Sequence, residues 1–206
     1  MLQEIQLTFH NQGLRSFIEV DLCIDCPRQD SKGCCGYYSP VFYASDFAFL
    51  LQHNRDLIEY ILSLGNITIL DASVTINRED DGQGFRCQFH TREKGCMLSQ
   101  NLRESICRLF VCPGINWEQE PQLKHWKDFF DQLFEYEINL NNIIADSLSE
   151  RNLSLRDSQR RGQFFSVLLE LFKQETATPP AFFNTCRETE KYILKREIKY
   201  GVEWPL

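Results

Sequence analysis

Residues 23–35 read CIDCPRQDSKGCC, and residues 87–112 read CQFHTREKGCMLSQNLRESICRLFVC. These two stretches hold eight of the nine cysteines in a chain of 206 residues. Their spacings are Cys23-x2-Cys26-x7-Cys34-Cys35 and Cys87-x8-Cys96-x10-Cys107-x4-Cys112. A thiolate is a soft anionic ligand that suits both zinc and iron–sulfur clusters. Eight thiols grouped in this way favour metal ligation, and a metal-tied module is therefore the starting point for the fold.

Length and composition favour a reducing compartment over a disulfide scaffold. A chain with 43% apolar residues and 16 Phe can build a core without covalent help. The first residues show neither a basic nor an apolar signal-peptide segment, and no apolar run reaches transmembrane length. We therefore expect a cytoplasmic protein without membrane contact, in which thiols stay reduced. An odd cysteine count also fits disulfide pairing poorly.

The charge balance excludes one broad class of partner and marks one local exception. A net charge of −7 argues against binding to nucleic acid or to anionic membranes, which requires a basic field. Between residues 86 and 108, however, cations outnumber acids. The cations are Arg86, Arg92, Lys94, Arg103 and Arg108, and the acids are Glu93 and Glu104. This segment either stabilises nearby thiolates or is an ordinary solvated loop.

Periodicity predicts short strands and helices in the first half of the chain. Residues 2–22 alternate around a turn at 11–13 and predict a hairpin that delivers Cys23. A helix is expected over 46–64 with Ser45 as its cap, followed by strands over 67–76. Asp81-Gly82 predicts a hairpin turn before a strand over 85–89, and a helix from about Gln100 is expected to carry Cys107.

Helical periodicity dominates after Pro113. An aromatic stripe from Trp126 predicts one long helix, and Ser154-x-x-Asp157 resembles a capping box that opens a second. A third helix is expected over roughly 181–200. The predicted fold class is therefore α+β and helix-rich. An irregular, metal-tied cysteine module with short hairpins occupies 1–116, and a helical region, 117–206, packs on it in one continuous domain.

The cysteine spacings constrain how a metal is held. Cys23-x2-Cys26 lets both sulfurs turn toward one ion. Adjacent side chains in extended backbone point to opposite faces, so Cys34 and Cys35 do not readily chelate one small ion. Either one of the two cysteines is a ligand and the other is a buried free thiol, or the two are ligands to different metals. The sequence leaves both arrangements open.

The cysteine pattern resembles a known family, the bacterial and archaeal YkgJ-like proteins, also described as the CxxCxxCC zinc- or iron-chelating domain. The match covers residues 23–112 and includes Cys87-Gln88-Phe89 and Gly95-Cys96. Residues 103–112 are similar to the family's ending, arginine-proline followed by cysteine-arginine-x-phenylalanine-proline-cysteine. Glu104 and Val111 stand where the family commonly has proline, and the loop between Cys26 and Cys34 is longer. The resemblance implies metal or iron–sulfur binding.

These observations predict a metal-binding protein that carries an iron–sulfur cluster, of the [4Fe–4S] type, or zinc. Its role would be electron transfer or a cluster-dependent modification, with an unidentified redox or protein partner. The alternative is a structural-zinc module that binds a protein without catalysis. Arg103 and Arg108 are expected to balance the charge of the centre. The predicted ligands are Cys23, Cys26, Cys34, Cys35, Cys87, Cys96, Cys107 and Cys112.

The sequence also predicts the surroundings of Cys186 and His90. Cys186 stands alone among aromatic residues and is expected to be a small core residue. His90 follows Cys87 by three residues and is either a substitute metal ligand or, as we expect, a surface loop histidine. No residue has a recognisable catalytic partner in the sequence, so no catalytic residue is assigned.

Overall fold

The computed structural model describes residues 2–23, 25–29, 32–91 and 95–206. Helix accounts for 46% of the chain and strand for 19%, which confirms the α+β class. None of the helices in these ranges is long and apolar enough to cross a membrane. The segment of Arg92, Glu93 and Lys94, part of the predicted basic stretch, lies outside the described residues.

Two three-stranded antiparallel sheets and two short ribbons make up the β structure. The strands are β1 (Leu2–His10), β2 (Phe17–Val20), β3 (Val41–Phe42), β4 (Ile67–Ile69), β5 (Val74–Ile76), β6 (Glu79–Asp80), β7 (Phe85–Arg86), β8 (His90–Thr91), β9 (Gly95–Cys96) and β10 (Thr189–Glu197). The helices are α1 (Ala44–His53), α2 (Arg55–Ser63), α3 (Ser105–Leu109), α4 (Lys124–Glu150) and α5 (Arg161–Glu175).

The predicted N-terminal hairpin is confirmed. Strands β1 and β2 pair antiparallel from Leu7 with Val20 to His10 with Phe17. The inward residues Ile5, Leu7 and Phe9 of β1 are fully buried, as their period of two requires. The hairpin ends in a 3₁₀ turn, Asp21–Cys23, and so delivers the first cysteine.

The predicted third helix is wrong, because the segment forms strand β10. This strand pairs along the whole of β1, so the first sheet has the order β10-β1-β2. Burial alternates along it, with Leu194 inside opposite Ile5 and Ile193 outside. The residues of this segment include good helix formers, but pairing with nine residues of β1 satisfies its backbone and overrides that local preference.

The second sheet confirms the strands predicted over 67–76, whereas the helices predicted near it differ: the helix expected from about Gln100 is a 3₁₀ turn, Gln100–Leu102, followed by the short α3. Strands β4 and β5 lie within the predicted range, and the turn after Asp80 joins β6 to β7. The single helix expected over 46–64 is instead two helices, broken at Asn54, whose side chain caps α2 by accepting from the Leu57 N–H. Ser45 is not the cap of α1, which begins after Tyr43 with Asp46 accepting from the Tyr43 N–H.

The long aromatic helix is confirmed as α4, whereas the start of the next helix differs from prediction. Ser154 does not open a capping box, because its hydroxyl donates to Asp71 and helix α5 begins only at Arg161. The hydroxyl also accepts from the Arg156 N–H. Ser154 therefore fastens the α4–α5 connection to the turn between β4 and β5.

Helix α4 joins two hydrophobic cores. Its first half, which includes Trp126 and Phe129, packs in the core that β1, β2, β10 and Trp204 share. Its second half, which includes Leu140 and Ile144, packs in the core built around α1, α2, α5 and the second sheet. Both cores contain residues from before and after position 116, so the cysteine-bearing half and the helical half fold against each other.

Buried charges lie between the two cores. The Arg108 guanidinium, which is fully buried, donates to the Glu137 carboxylate at 2.5 Å and to the Ser16 carbonyl at 2.5 Å. Removal of one partner from such a buried pair typically costs about 3–5 kcal/mol. This pair links α3, α4 and the turn after β1. Burial raises the pKa of the Glu137 carboxyl, and the Arg108 charge opposes that shift.

Arg15 is a second buried cation. Arg15 donates to the Asp46 carboxylate at 2.7 Å and to the carbonyl oxygens of Asn101 and Arg103. Its guanidinium also lies over the Phe49 ring, 4.5 Å from the centroid. Because Asn101 and Arg103 immediately precede α3, Arg15 positions the start of the helix that carries Cys107.

Strand β10 can be tested with two neighbouring residues. We expect Leu194→Ala to lower the free energy of unfolding by about 2–5 kcal/mol, because a buried side chain is lost from the core. Ile193→Ala, on the exposed face of the same strand, should cost less than about 1 kcal/mol. Urea unfolding of both variants gives the comparison. Equal losses would contradict the strand's alternating burial.

Candidate functional site

Two tight turns position the first cysteine group. Cys23 ends the 3₁₀ turn after β2, and Cys34 and Cys35 lie in a second 3₁₀ turn, Gly33–Gly36. Gly33 has a φ of 54°, a left-handed conformation that glycine adopts readily. A Cβ atom at this position would also lie 3.0 Å from the Cys26 Sγ. Glycine therefore allows Cys26 to approach the Cys34–Cys35 turn.

The second cysteine group is carried by two-residue strands and a short helix. Cys87 directly follows β7, which is shorter than the strand predicted over 85–89, and Cys96 ends β9. Cys107 lies in α3, and Cys112 follows that helix. The Cys87 N–H donates to the Cys35 carbonyl at 2.7 Å, so the backbone joins the two groups directly.

The thiols of the two groups lie near one another, as their mutual electrostatic effects show. A negative charge on Cys34 raises the pKa of five other thiols, which places these thiols close enough to interact electrostatically. They are Cys23, Cys35, Cys87, Cys107 and Cys112. Cys26 interacts in the same way with Cys23 and Cys112, and Cys96 with Cys35 and Cys87. All eight predicted cysteines therefore belong to one cluster, which we call the thiol cluster.

The backbone conformation of the vicinal cysteines, Cys34 and Cys35, differs from the one that the sequence argument assumed. Their backbone is a 3₁₀ turn rather than an extended strand, so the opposite-face argument does not apply to them. The Cys35 thiol donates a hydrogen bond to Cys34, which lowers the pKa of Cys34 to about 7, and the Arg103 charge also acts to lower it. The same hydrogen bond, followed by burial, raises the pKa of Cys35 well above its usual range.

Burial favours the neutral form of four further thiols. Desolvation raises the pKa of Cys87 and of Cys112 to about 11, and that of Cys23 to about 12. Part of Cys23 reaches solvent, but the surrounding protein and neighbouring thiols dominate the environment of its sulfur. Desolvation also raises the pKa of Cys107. The cluster thus combines one readily ionised thiol with several that favour the protonated form.

Glu104 is a buried residue of the site that the sequence argument passed over. Its carboxylate accepts from the N–H groups of Ile106 and Cys107 at 2.8 and 2.9 Å and so caps α3. The Cys107 thiol also donates to it, which contributes to the raised Cys107 pKa. An acidic residue directly before a short apolar helix is the sequence pattern that indicates such a cap.

The two arginines expected to balance the charge of the centre have different surroundings. Arg103 lies close enough to Cys23 and Cys34 for its charge to lower the pKa of both thiols. Its Nε also donates to the Leu98 carbonyl at 3.0 Å. Arg108, by contrast, donates to Glu137 and to the backbone at the end of the first turn, as described above.

The C-terminal tail covers both cysteine groups. The Gly201 N–H donates to the Pro27 carbonyl at 2.8 Å, next to Cys26. The Trp204 ring packs against Gly114, and its indole N–H acts to lower the pKa of the neighbouring Cys112, against the larger effect of burial. Residues 201–206 were predicted only as the end of the helical region, beyond its third helix. It lies here because β10 returns the chain to β1.

Cys186 and His90 lie in different settings from those expected. Cys186 packs at the edge of the core around Trp126, as predicted, but follows a 3₁₀ turn rather than lying in a helix. Its thiol donates to the His125 carbonyl at 3.6 Å. His90 is buried in β8, so its prediction as a surface loop residue is wrong. Cys186 provides a thiol outside the cluster for comparison.

The donor chemistry of the thiol cluster suits zinc or an iron–sulfur cluster, because both accept several thiolates. In the described part of the chain, no group of three or more Cys, His, Asp or Glu side chains is arranged to hold a metal ion. Two thiols instead donate hydrogen bonds, Cys35 to Cys34 and Cys107 to Glu104. Shared ligation would require these thiols to exchange those partners for the metal.

Comparison of the chain with family models finds no match, and comparisons with curated proteins and with solved structures find no significant match either. The resemblance to the YkgJ-like family therefore stays a prediction. It rests on the cysteine spacings and on residues 103–112.

The contact between Trp204 and Gly114 can be tested with a single methyl group. A Cβ at residue 114 would lie 2.9–3.0 Å from Cη2, Cζ2 and Cζ3 of the buried Trp204 ring. Gly114→Ala should therefore lower the free energy of unfolding by about 1–3 kcal/mol and speed alkylation of Cys112. Urea unfolding and mass spectrometry of alkylated peptides measure the two effects.

Gly162→Ala is the matched control. Gly162 lies in α5, and nothing lies within 4 Å of the position that a Cβ would take there. The change should therefore be neutral or stabilise the protein by up to about 1 kcal/mol. If Gly114→Ala were equally harmless, the tail would not be packed against the second cysteine group.

Proposed function

We propose that this chain binds metal through the thiol cluster, as an iron–sulfur protein that acts in electron transfer or in a cluster-dependent modification. The observation that carries the proposal is the proximity of two cysteine groups that are 51 residues apart between Cys35 and Cys87, joined by the hydrogen bond from the Cys87 N–H to the Cys35 carbonyl and by electrostatic interaction of their thiols. Free buried thiols serve in many cores as small apolar residues. Eight thiols that lie near one another on turns, two-residue strands and a short helix, only Cys87 of them fully buried, are better explained by a ligand.

The surroundings of the cluster support this assignment. A centre held by four thiolates carries net negative charge, and the Arg103 charge would offset part of it. The Glu104 cap fixes the short helix that presents Cys107. The tail around Trp204 limits solvent at Cys112. Bound iron–sulfur would supply one-electron redox chemistry, whose potential depends on just such charges, hydrogen bonds and solvent exposure.

Eight thiols provide enough ligands for two four-thiolate centres, or for one centre with neighbouring thiols that do not ligate. The charge of Cys34 acts on five of the other thiols, so its loss should affect either arrangement. Cys23, Cys26 and Cys112 form one interacting group, and Cys35, Cys87 and Cys96 form another. This grouping supports a division of the ligands between two centres.

A structural-zinc module that binds a protein partner is the second candidate. The cysteines are carried by 3₁₀ turns, two-residue strands and a five-residue helix, which are elements with little stability of their own. Zinc ligated by these thiols would stabilise the module directly, because ligands that bind only the folded state stabilise it. In either case a reducing compartment such as the cytoplasm would keep the thiols available.

The metal content of anaerobically purified protein tests the proposal. We expect iron and acid-labile sulfide in stoichiometric amounts, together with broad visible absorption. Cys34→Ser should weaken metal retention by at least about tenfold, because substitutions at or next to metal ligands typically have effects of that size. Cys186→Ser, which removes the one thiol outside the cluster, should leave the metal content unchanged.

The same preparation separates the two candidates. Colourless protein with stoichiometric zinc, lost in Cys34→Ser and kept in Cys186→Ser, would replace the redox function with the structural one. Protein without bound metal, after reconstitution with iron and sulfide and with zinc has been attempted, would contradict both.

A further inference from the structure

Strand β10 forms an open edge of the first sheet. The sheet has the order β10-β1-β2, so among the described residues β10 pairs with another strand on one side only. The opposite edge, β2, is four residues long, whereas β10 is nine residues long and contains neither proline nor glycine. Proteins usually shorten, kink or cover a sheet edge, because its free N–H and C=O groups can pair with another chain. A long and regular edge is therefore a candidate surface for a partner strand.

The backbone groups that face the open edge belong to the odd-numbered residues of β10. The Asn11 N–H donates at 2.9 Å to the carbonyl of Glu188, the residue opposite it when the β1–β10 register is continued. Hydrogen-bonded and non-hydrogen-bonded pairs alternate along antiparallel strands. The even-numbered residues therefore bond to β1, and the odd-numbered residues from 189 to 197 point away from it. The Arg196 guanidinium reaches one of these outward groups, the Lys195 carbonyl, at 3.0 Å, and that oxygen keeps a second lone pair.

The same odd-numbered residues carry the side chains of the sheet's outer face. Lys195 has a partner there, because its ammonium lies 3.2 Å from the Glu4 carboxylate of β1. Lys191 and Glu197 lie opposite uncharged residues of β1, and neither has an ion-pair partner in the part of the chain that the structure describes. Between them lies Ile193, which is 57% exposed. The open edge thus carries one unpaired charge of each sign, with an exposed apolar residue between them.

We propose that β10 pairs with β10 of a second copy of this chain, antiparallel across a two-fold axis at Leu194. With the axis at that residue, Lys191 lies opposite Glu197 of the second copy, and Ile193 lies opposite its Lys195. The symmetry makes each of these contacts occur twice. The outward backbone groups of the two strands face each other, and the two three-stranded sheets become one continuous sheet.

The charges select this register over its neighbours. An axis at Ile193 would use the same backbone groups, but it would place Lys191 opposite Lys195 of the second copy, and like charges directly opposite each other destabilise an antiparallel pair. An axis at Tyr192 would leave Glu197 beyond the end of the partner strand. The axis at Leu194 pairs both free charges. Because the contact is short and mostly main-chain, we expect a reversible dimer.

Sedimentation velocity of the full chain in a reducing buffer, at about 1–300 μM, tests the proposal over the range in which a small interface forms and dissociates. We expect a monomer–dimer equilibrium. Lys191→Glu should weaken dimerisation at least about tenfold, because both cross-strand pairs then join like charges. Glu197→Lys should do the same. The double variant restores opposite charges, and its dimerisation should lie within about threefold of that of the unmodified protein.

Two further variants control this experiment. Lys173→Glu changes the net charge as Lys191→Glu does, but at an exposed position of α5, outside the first sheet. It should alter dimerisation less than about threefold. Ile193→Pro removes an outward N–H and no hydrogen bond to β1, and proline is tolerated at such an edge position, so this variant should fold and stay monomeric. Circular dichroism checks the fold of every variant, and the charge reversals alone decide if Ile193→Pro does not fold.

A monomer at every concentration would overturn the proposal and leave the open edge to a strand of another protein. Equal weakening by Lys173→Glu and Lys191→Glu, or no rescue in the double variant, would mean that the copies meet elsewhere and would also overturn it. Because β10 carries none of the clustered cysteines, these outcomes are separate from those of the metal proposal.

Discussion

The buried ion pair between Arg108 and Glu137 is the contact on which the rest of the structure depends. It lies where α4 passes from one hydrophobic core to the other, and Arg108 also donates to the Ser16 carbonyl. Arg15, paired with Asp46, fixes the backbone just before α3. Charges buried this deeply are stable only when paired and hydrogen-bonded, so α3 has a single position between the cores. Cys107 of the thiol cluster lies on that helix.

The convergence of the thiols follows from contacts between distant parts of the chain. The Cys87 N–H donates to the Cys35 carbonyl and holds the two cysteine groups together. Strand β10 returns the C-terminus to β1, and Trp204 then packs over Gly114 beside Cys112. These contacts of the protein chain bring the two cysteine groups together.

Sequence periodicity predicted the elements whose structure depends on short-range patterns. The alternation in β1 and the aromatic stripe of α4 are strong periodic signals, and both elements form as expected. Strand β10 was missed because its pairing with β1 is set by residues nearly the whole chain away. The cysteines were recognised by spacing, but the contact between the two groups through Cys35 and Cys87 was not, since it requires the tertiary fold. Glu104 was overlooked because its role appears only once α3 is known to be a five-residue helix that begins directly after it.

Mapping of disulfides in metal-free protein tests the central claim, which is that the two cysteine groups form one cluster. The chain would be treated with a chelator, oxidised briefly with diamide, and digested for mass spectrometry. We predict disulfides that join Cys23, Cys26, Cys34 or Cys35 to Cys87, Cys96, Cys107 or Cys112, with Cys186 left free. Disulfides confined within each group, or shared with Cys186, would contradict it.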